Sequence, residues 1–92
     1  MLSSKFDCPV GYSGHERGTS ISVAAVTMNA CMIERHFTLD RTMKGPDHAS
    51  SVEPLGLAHI VTRSSRMFKA MGNPNKTVLD CELKNRKKFR GY

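Results

Sequence analysis

The sequence predicts an α/β fold: two consecutive β-α units followed by a basic C-terminal tail. Three observations carry that prediction. Two extended runs, at residues 9–13 and 31–38, are each followed by a longer stretch with helical period. Glycine, proline and asparagine fall between these segments, at the positions where turns and helix ends require them. The order strand, helix, strand, helix implies parallel strands joined by right-handed helical crossovers.

In chain order, Pro9-Val10-Gly11-Tyr12-Ser13 is a short apolar run broken by small residues, as a buried strand requires, and residues 14–18 read as a loop. Ile21, Ala24, Ala25 and Met28 then fall at i, i+3, i+4 and i+7, the apolar stripe of a helix. Thr19 or Ser20 is available as its N-cap, and Asn29 can close it. Residues 31–38 alternate, with Ile33 and Phe37 on one side and Met32, Glu34, His36 and Thr38 on the other. A polar loop over 39–52 bends at Gly45-Pro46. Pro54 suits the first turn of a second helix, whose apolar positions are Leu57, Ile60, Val61, Phe68 and Met71. Gly72 and Pro74 end it. Met28, Met32, Met43, Met67 and Met71 are read as packing residues, and His59 as a surface or boundary histidine.

Composition limits the class. The 92 residues are 39% hydrophobic and 24% charged, which is globular rather than disordered material, and they fit one small domain or a piece of a larger one. No run approaches the ~20 apolar residues of a membrane-spanning helix, and the first residues show no signal-peptide core. Cys8, Cys31 and Cys81 are odd in number and widely spaced, which suggests neither a disulfide framework nor a metal knuckle. The expectation is a reduced, cytoplasmic protein with no membrane partner. Of the net charge of +6, +4 lies in residues 76–92. Phe89 and Tyr92 are the only groups there that can stack on bases, so a solvated linker is preferred to a nucleic-acid-binding module.

In βα architectures function collects at the carboxyl ends of the strands. Ser13 and His15 follow the first strand, His36 closes the second, and the loop carrying Lys44, Asp47 and His48 leaves from the same rim. Imidazoles, hydroxyls and a carboxylate converging there suit a divalent cation and an oxygen-rich substrate. Spacing alone leaves His15 and His36 open between cation ligands and structural imidazoles. H-E-R-G-T is not H-E-x-x-H, and Gly11, Gly14 and Gly18 form neither a G-x-G-x-x-G nor a Walker loop.

Two longer runs add to this reading: P-V-G-Y-S-G-H-E-R-G-T-S-I-S-V-A-A-V, and I-E-R-H-F-T-L-D-R-T-M-K-G-P-D-H-A-S-S-V-E-P. Together they closely resemble the sialic acid synthase family, which includes N-acetylneuraminate synthases and spore-coat polysaccharide synthesis proteins. The similarity extends from about Lys5 to about Tyr92. It implies that residues 1–75 are the last quarter of a TIM (β/α)₈ barrel. It also implies condensation of phosphoenolpyruvate with an N-acetylmannosamine-type sugar, or its 6-phosphate, to a nine-carbon sialic acid. By the same resemblance His15 and His36 hold a divalent cation, Mn²⁺ or Mg²⁺. Ser13 belongs to the phosphoenolpyruvate site, Asp47 contacts the sugar, and Glu34 supports catalysis beside His36.

The resemblance further implies a homodimer for the full-length enzyme. It makes residues 76–92 a basic linker toward an antifreeze-like domain that this chain does not contain. A complete barrel takes about 250 residues, and the family's other phosphoenolpyruvate ligands come from earlier strands. The expectation is therefore a fragment that is inactive alone, with a non-catalytic remnant as the alternative.

Overall fold

Strand pairing begins where the two extended runs meet. In the computed structural model, which describes all 92 residues, Cys31 donates to the Val10 carbonyl (2.9 Å) and Tyr12 to the Met32 carbonyl (2.8 Å). The ladder continues as β1 (Tyr12–Gly14) beside β2 (Ile33–Arg35), parallel, with Tyr12 opposite Ile33, Ser13 opposite Glu34 and Gly14 opposite Arg35. Beyond β2, Phe37 forms an isolated parallel bridge with Val52. The strands are thus shorter than the extended runs, and Gly14, expected in the loop, is the last residue of β1.

Between the strands runs α2 (Ser20–Thr27), preceded by a short α1 (Leu2–Phe6) that the sequence pattern does not announce. Thr19 is the N-cap of α2, although its side chain makes no capping bond. At the other end Asn29 adopts a left-handed φ of 67°. Ala30 donates to the Ala25 carbonyl and Asn29 to that of Val26, each at 3.0 Å, the paired bonds of a Schellman ending. After a 3-10 turn at His48–Ser50, α3 (Pro54–Met71) starts on its proline and stops at Gly72, both as expected. It packs along α2.

The basic tail, read as a linker, contains a helix, α4 (Asp80–Arg90). Asp80 and Glu82 lie in its first turn, with Lys87, Lys88 and Arg90 in its last, so the charges complement the helix dipole. The Glu82 carboxylate also accepts from the Leu79 N–H at 2.9 Å. This helix packs on no other element. No helix is long and apolar enough to cross a membrane.

Only two hydrophobic side chains are buried, Val52 and Ile60, at 3% and 5% exposure. The Cα radius of gyration is 19.0 Å, against about 12 Å for a compact domain of this length. The stripe Ile21, Ala24, Ala25, Met28 has the expected period but not the expected cover. It lines an open apolar groove with Leu2, Val10 and Tyr12. The side of α2 turned to the sheet instead carries Ser22, the most buried side chain of the molecule. The physical reason is a sheet of only two strands, whose β1 edge beside that stripe has no neighbour.

Candidate active site

Period-two alternation sorts the strand residues onto two faces. Tyr12, Gly14 and Arg35 face α2. Ser13 and Glu34 lie on the other face, His15 and His36 continue it just past the strand ends, and Asp47 hangs over it from the following loop. The register brings the Ser13 hydroxyl to Glu34, donating to Oε1 at 3.0 Å. The rings of His15 and His36 lie with centroids 5.0 Å apart, tilted by 57°. Asp47 Oδ2 stands 3.6 Å from His36 Nδ1, too long for a hydrogen bond. All five residues singled out from sequence therefore gather at one rim. His15, Ser13, Glu34 and Asp47 are exposed there, and His36 is half-buried.

Beside them His36, Phe37, Pro46, Asp47, His48 and Ser51 enclose an open cleft of about 270 Å³. His48 Nδ1 lies 2.8 Å from the buried Thr38 hydroxyl, which fixes one end of the cleft. Asp47 caps the 3-10 turn, and its carbonyl accepts from Ser50 N–H at 3.2 Å and from the Ser51 hydroxyl. The cleft floor is thus built by the turn that carries Asp47.

Imidazole nitrogens with a carboxylate nearby are a donor set that suits a first-row divalent cation. The two rings are close enough to share one ion, so the residues present fit it. No group of three or more His, Cys, Asp or Glu side chains comes together. Two imidazoles are what this chain could offer to such an ion.

The other face holds what sequence reading passed over. The Arg35 side chain is 2% exposed, and its guanidinium pairs with Glu16 Oε1 at 3.1 Å. Burial works to raise the Glu16 pKa. Against it, the residue's own backbone N–H, the Tyr12 and Ser22 hydroxyls and the Arg35 charge together hold that carboxyl below its ordinary range. The bond to Glu16 in turn raises the Tyr12 phenol, with burial as a second cause. One signal was available: the alternation that points Glu34 and His36 to the rim points Arg35 inward, where a charge needs a partner.

A family model described as the NeuB family matches residues 1–76. N-acetylneuraminate-9-phosphate synthase of Homo sapiens is 52% identical over 77 residues, covering 84% of this chain and 21% of that protein. N,N'-diacetyllegionaminic acid synthase of Campylobacter jejuni is 49% identical over 84 residues, covering 91% of this chain and 25% of that protein. Among solved structures, the N-acetylneuraminic acid synthetase of Leptospira borgpetersenii superposes with a TM-score of 0.80 at 37% identity, over 99% of this chain and 33% of that one. The chain spans about a fifth to a quarter of the length of these curated relatives.

Proposed function

The chain belongs to the NeuB family, and from that premise we propose that it is the last quarter of the catalytic (β/α)₈ barrel of a nonulosonic acid synthase. The reaction is condensation of phosphoenolpyruvate with an N-acetylmannosamine-type sugar and one water, giving a nine-carbon acid and phosphate. The observation that carries this reading is the parallel register, which sets Ser13 against Glu34 and leads His15 and His36 out side by side.

In this reading His15 and His36 hold a divalent cation, Mn²⁺ or Mg²⁺. When bound, it supplies Lewis acidity to the sugar's aldehyde oxygen. The chain's own residues do the rest of their share by placement. Ser13 turns its hydroxyl hydrogen from Glu34 toward a phosphate oxygen of phosphoenolpyruvate, a rotation about one bond. Glu34, released from Ser13, is free to accept a proton at the rim. Asp47 orients the sugar by accepting charge-assisted hydrogen bonds from its hydroxyls. The remaining phosphate contacts and the remaining coordination come from other segments of the whole enzyme, which acts as a homodimer. Residues 76–92 lead from the barrel toward a further domain.

The relatives are named for different products, and the rim residues of this chain suit their shared chemistry: a polyhydroxylated aldehyde, an enol phosphate and a cation. The test is His36→Ala in the enzyme that carries this chain. Cation-dependent synthase activity should be abolished with the fold intact, because a half-exposed rim imidazole contributes little packing. Undiminished activity at saturating Mn²⁺ refutes the reading.

A further inference from the structure

Arg35 stands between Glu34 and His36 in sequence, yet its side chain leaves the strand on the opposite face. There it reaches every segment that carries the candidate site. Nη1 donates to Glu16 Oε1 (3.1 Å), to the Gly18 carbonyl (2.8 Å) and to Ser22 Oγ (2.9 Å). Nη2 donates to the Glu16 carbonyl (2.6 Å) and to the Ser50 carbonyl (3.1 Å). Glu16 follows His15 directly, and Gly18 closes the loop that presents it. Ser50 belongs to the turn that begins at Asp47, bonded back to the Asp47 carbonyl. Ser22 lies on the first turn of α2 and passes its own hydrogen to Glu16 Oε1 (3.0 Å).

Gly14 shows that the path is kept clear for this side chain. A Cβ there would lie 2.8 Å from Arg35 Cδ and 2.7 Å from Glu16 Oε2. A planar fork with donors on two nitrogens reaches acceptors on three segments at once, and a lysine ammonium, a single point, does not. Burial raises the stakes: removing one partner strands the other charge inside the protein.

We propose that Arg35 is a positioning residue, which sets the spacing of His15, His36 and Asp47 without touching what they bind. The proposal rests on the reading of those three residues given above. It extends to this chain the general behaviour of groups that hold metal ligands from behind, whose loss typically weakens metal affinity about 10- to 100-fold.

The test uses Mn²⁺ itself, in the enzyme that carries this chain. Free Mn²⁺ is counted by electron paramagnetic resonance, at a temperature where circular dichroism shows each variant folded. Arg35→Lys should weaken Mn²⁺ binding at least about tenfold, and His36→Ala should remove this site's binding. If Arg35→Lys lowers only the melting temperature and leaves Mn²⁺ affinity unchanged, the role is structural and the proposal is overturned, while loss of binding in His36→Ala keeps the site reading intact. If His36→Ala also binds Mn²⁺ normally, the site reading falls and the positioning role with it. Should Arg35→Lys not fold, Ser22→Ala removes a single partner from the guanidinium and takes its place. A smaller but measurable weakening supports the proposal, and unchanged affinity overturns it.

Discussion

Two loops leave the same rim and share the candidate site, but they are held to different depths. The loop after β1, which presents His15, is tied into the interior by a guanidinium that is almost fully buried. The loop after β2, which leads to Asp47, is tied mostly by local bonds at the surface. Asp40 Oδ1 accepts from the Thr42 N–H (2.8 Å) and hydroxyl (2.6 Å). Arg41 pairs with Glu53 at 3.2 Å with both side chains nearly half exposed, an arrangement worth at most about 1 kcal/mol. Its deep anchors are few: Thr38 against His48, and a single bond from Arg35 Nη2 to the Ser50 carbonyl at 3.1 Å. In the proposed enzyme, the imidazoles are therefore placed before any ligand arrives. The carboxylate for the sugar is exposed and sits on a segment held at fewer interior points, so the substrate completes its geometry.

That contrast can be sharpened at Asp47. Asp47→Asn keeps the size of the side chain and removes its charge, so use of the amino sugar should fall far more than use of phosphoenolpyruvate. Loss of a substrate-orienting charge typically costs roughly 10²-fold. Steady-state kinetics in the whole enzyme decides it, and equal effects on both substrates would break the division of labour between the loops. On the clamped side, Gly14→Ala is the next largest effect. The added methyl would lie within 3 Å of Glu16, Arg35 and Tyr12 at once, and overpacking of this kind costs about 1–3 kcal/mol. The denaturation midpoint should drop accordingly. A neutral result would mean that the Arg35 network yields as easily as the surface loop.

The sequence made legible whatever is local. Asn29 closing α2, Pro54 opening α3 and Gly72 ending it were readable because each signal sits at the residue it controls. The parallel order followed from the alternation of segments, and the rim residues from the motifs. What stayed hidden depends on register or on missing neighbours. The Arg35–Glu16 pair spans 19 positions, and it becomes visible only once β1 and β2 are aligned. The stripe of Ile21, Ala24, Ala25 and Met28 was correctly periodic, but nothing in its spacing says that the groove it lines lies open here. The tail helix was a different omission. Asp80-Cys-Glu-Leu-Lys carries good helix formers with acids leading, yet the run of Lys and Arg that follows gives the tail the composition of a solvated linker.

The smallest predicted effect isolates the surface loop through its titration. The Thr42 hydroxyl, then the Thr42 N–H, hold the Asp40 carboxyl below its ordinary value of 3.8, against a small opposing push from burial. A carboxyl depressed in the folded state adds stability above its unfolded pKa and loses it as pH falls through the folded value. The bonds from Thr42 should therefore persist at neutral pH and weaken only below about pH 3.8. Asn in place of Asp40 keeps an oxygen acceptor in the same position but has no proton to gain. In a pH series of amide spectra, the Thr42 N–H of the parent protein should shift with an inflection below that value. Asp40→Asn should flatten the curve and change the thermal midpoint little at pH 7, since the group is exposed. An inflection that survives the substitution would place the acid sensitivity elsewhere, with Glu16 on the clamped loop the next carboxyl to replace. The two loops would then differ in burial but not in what acid does to them.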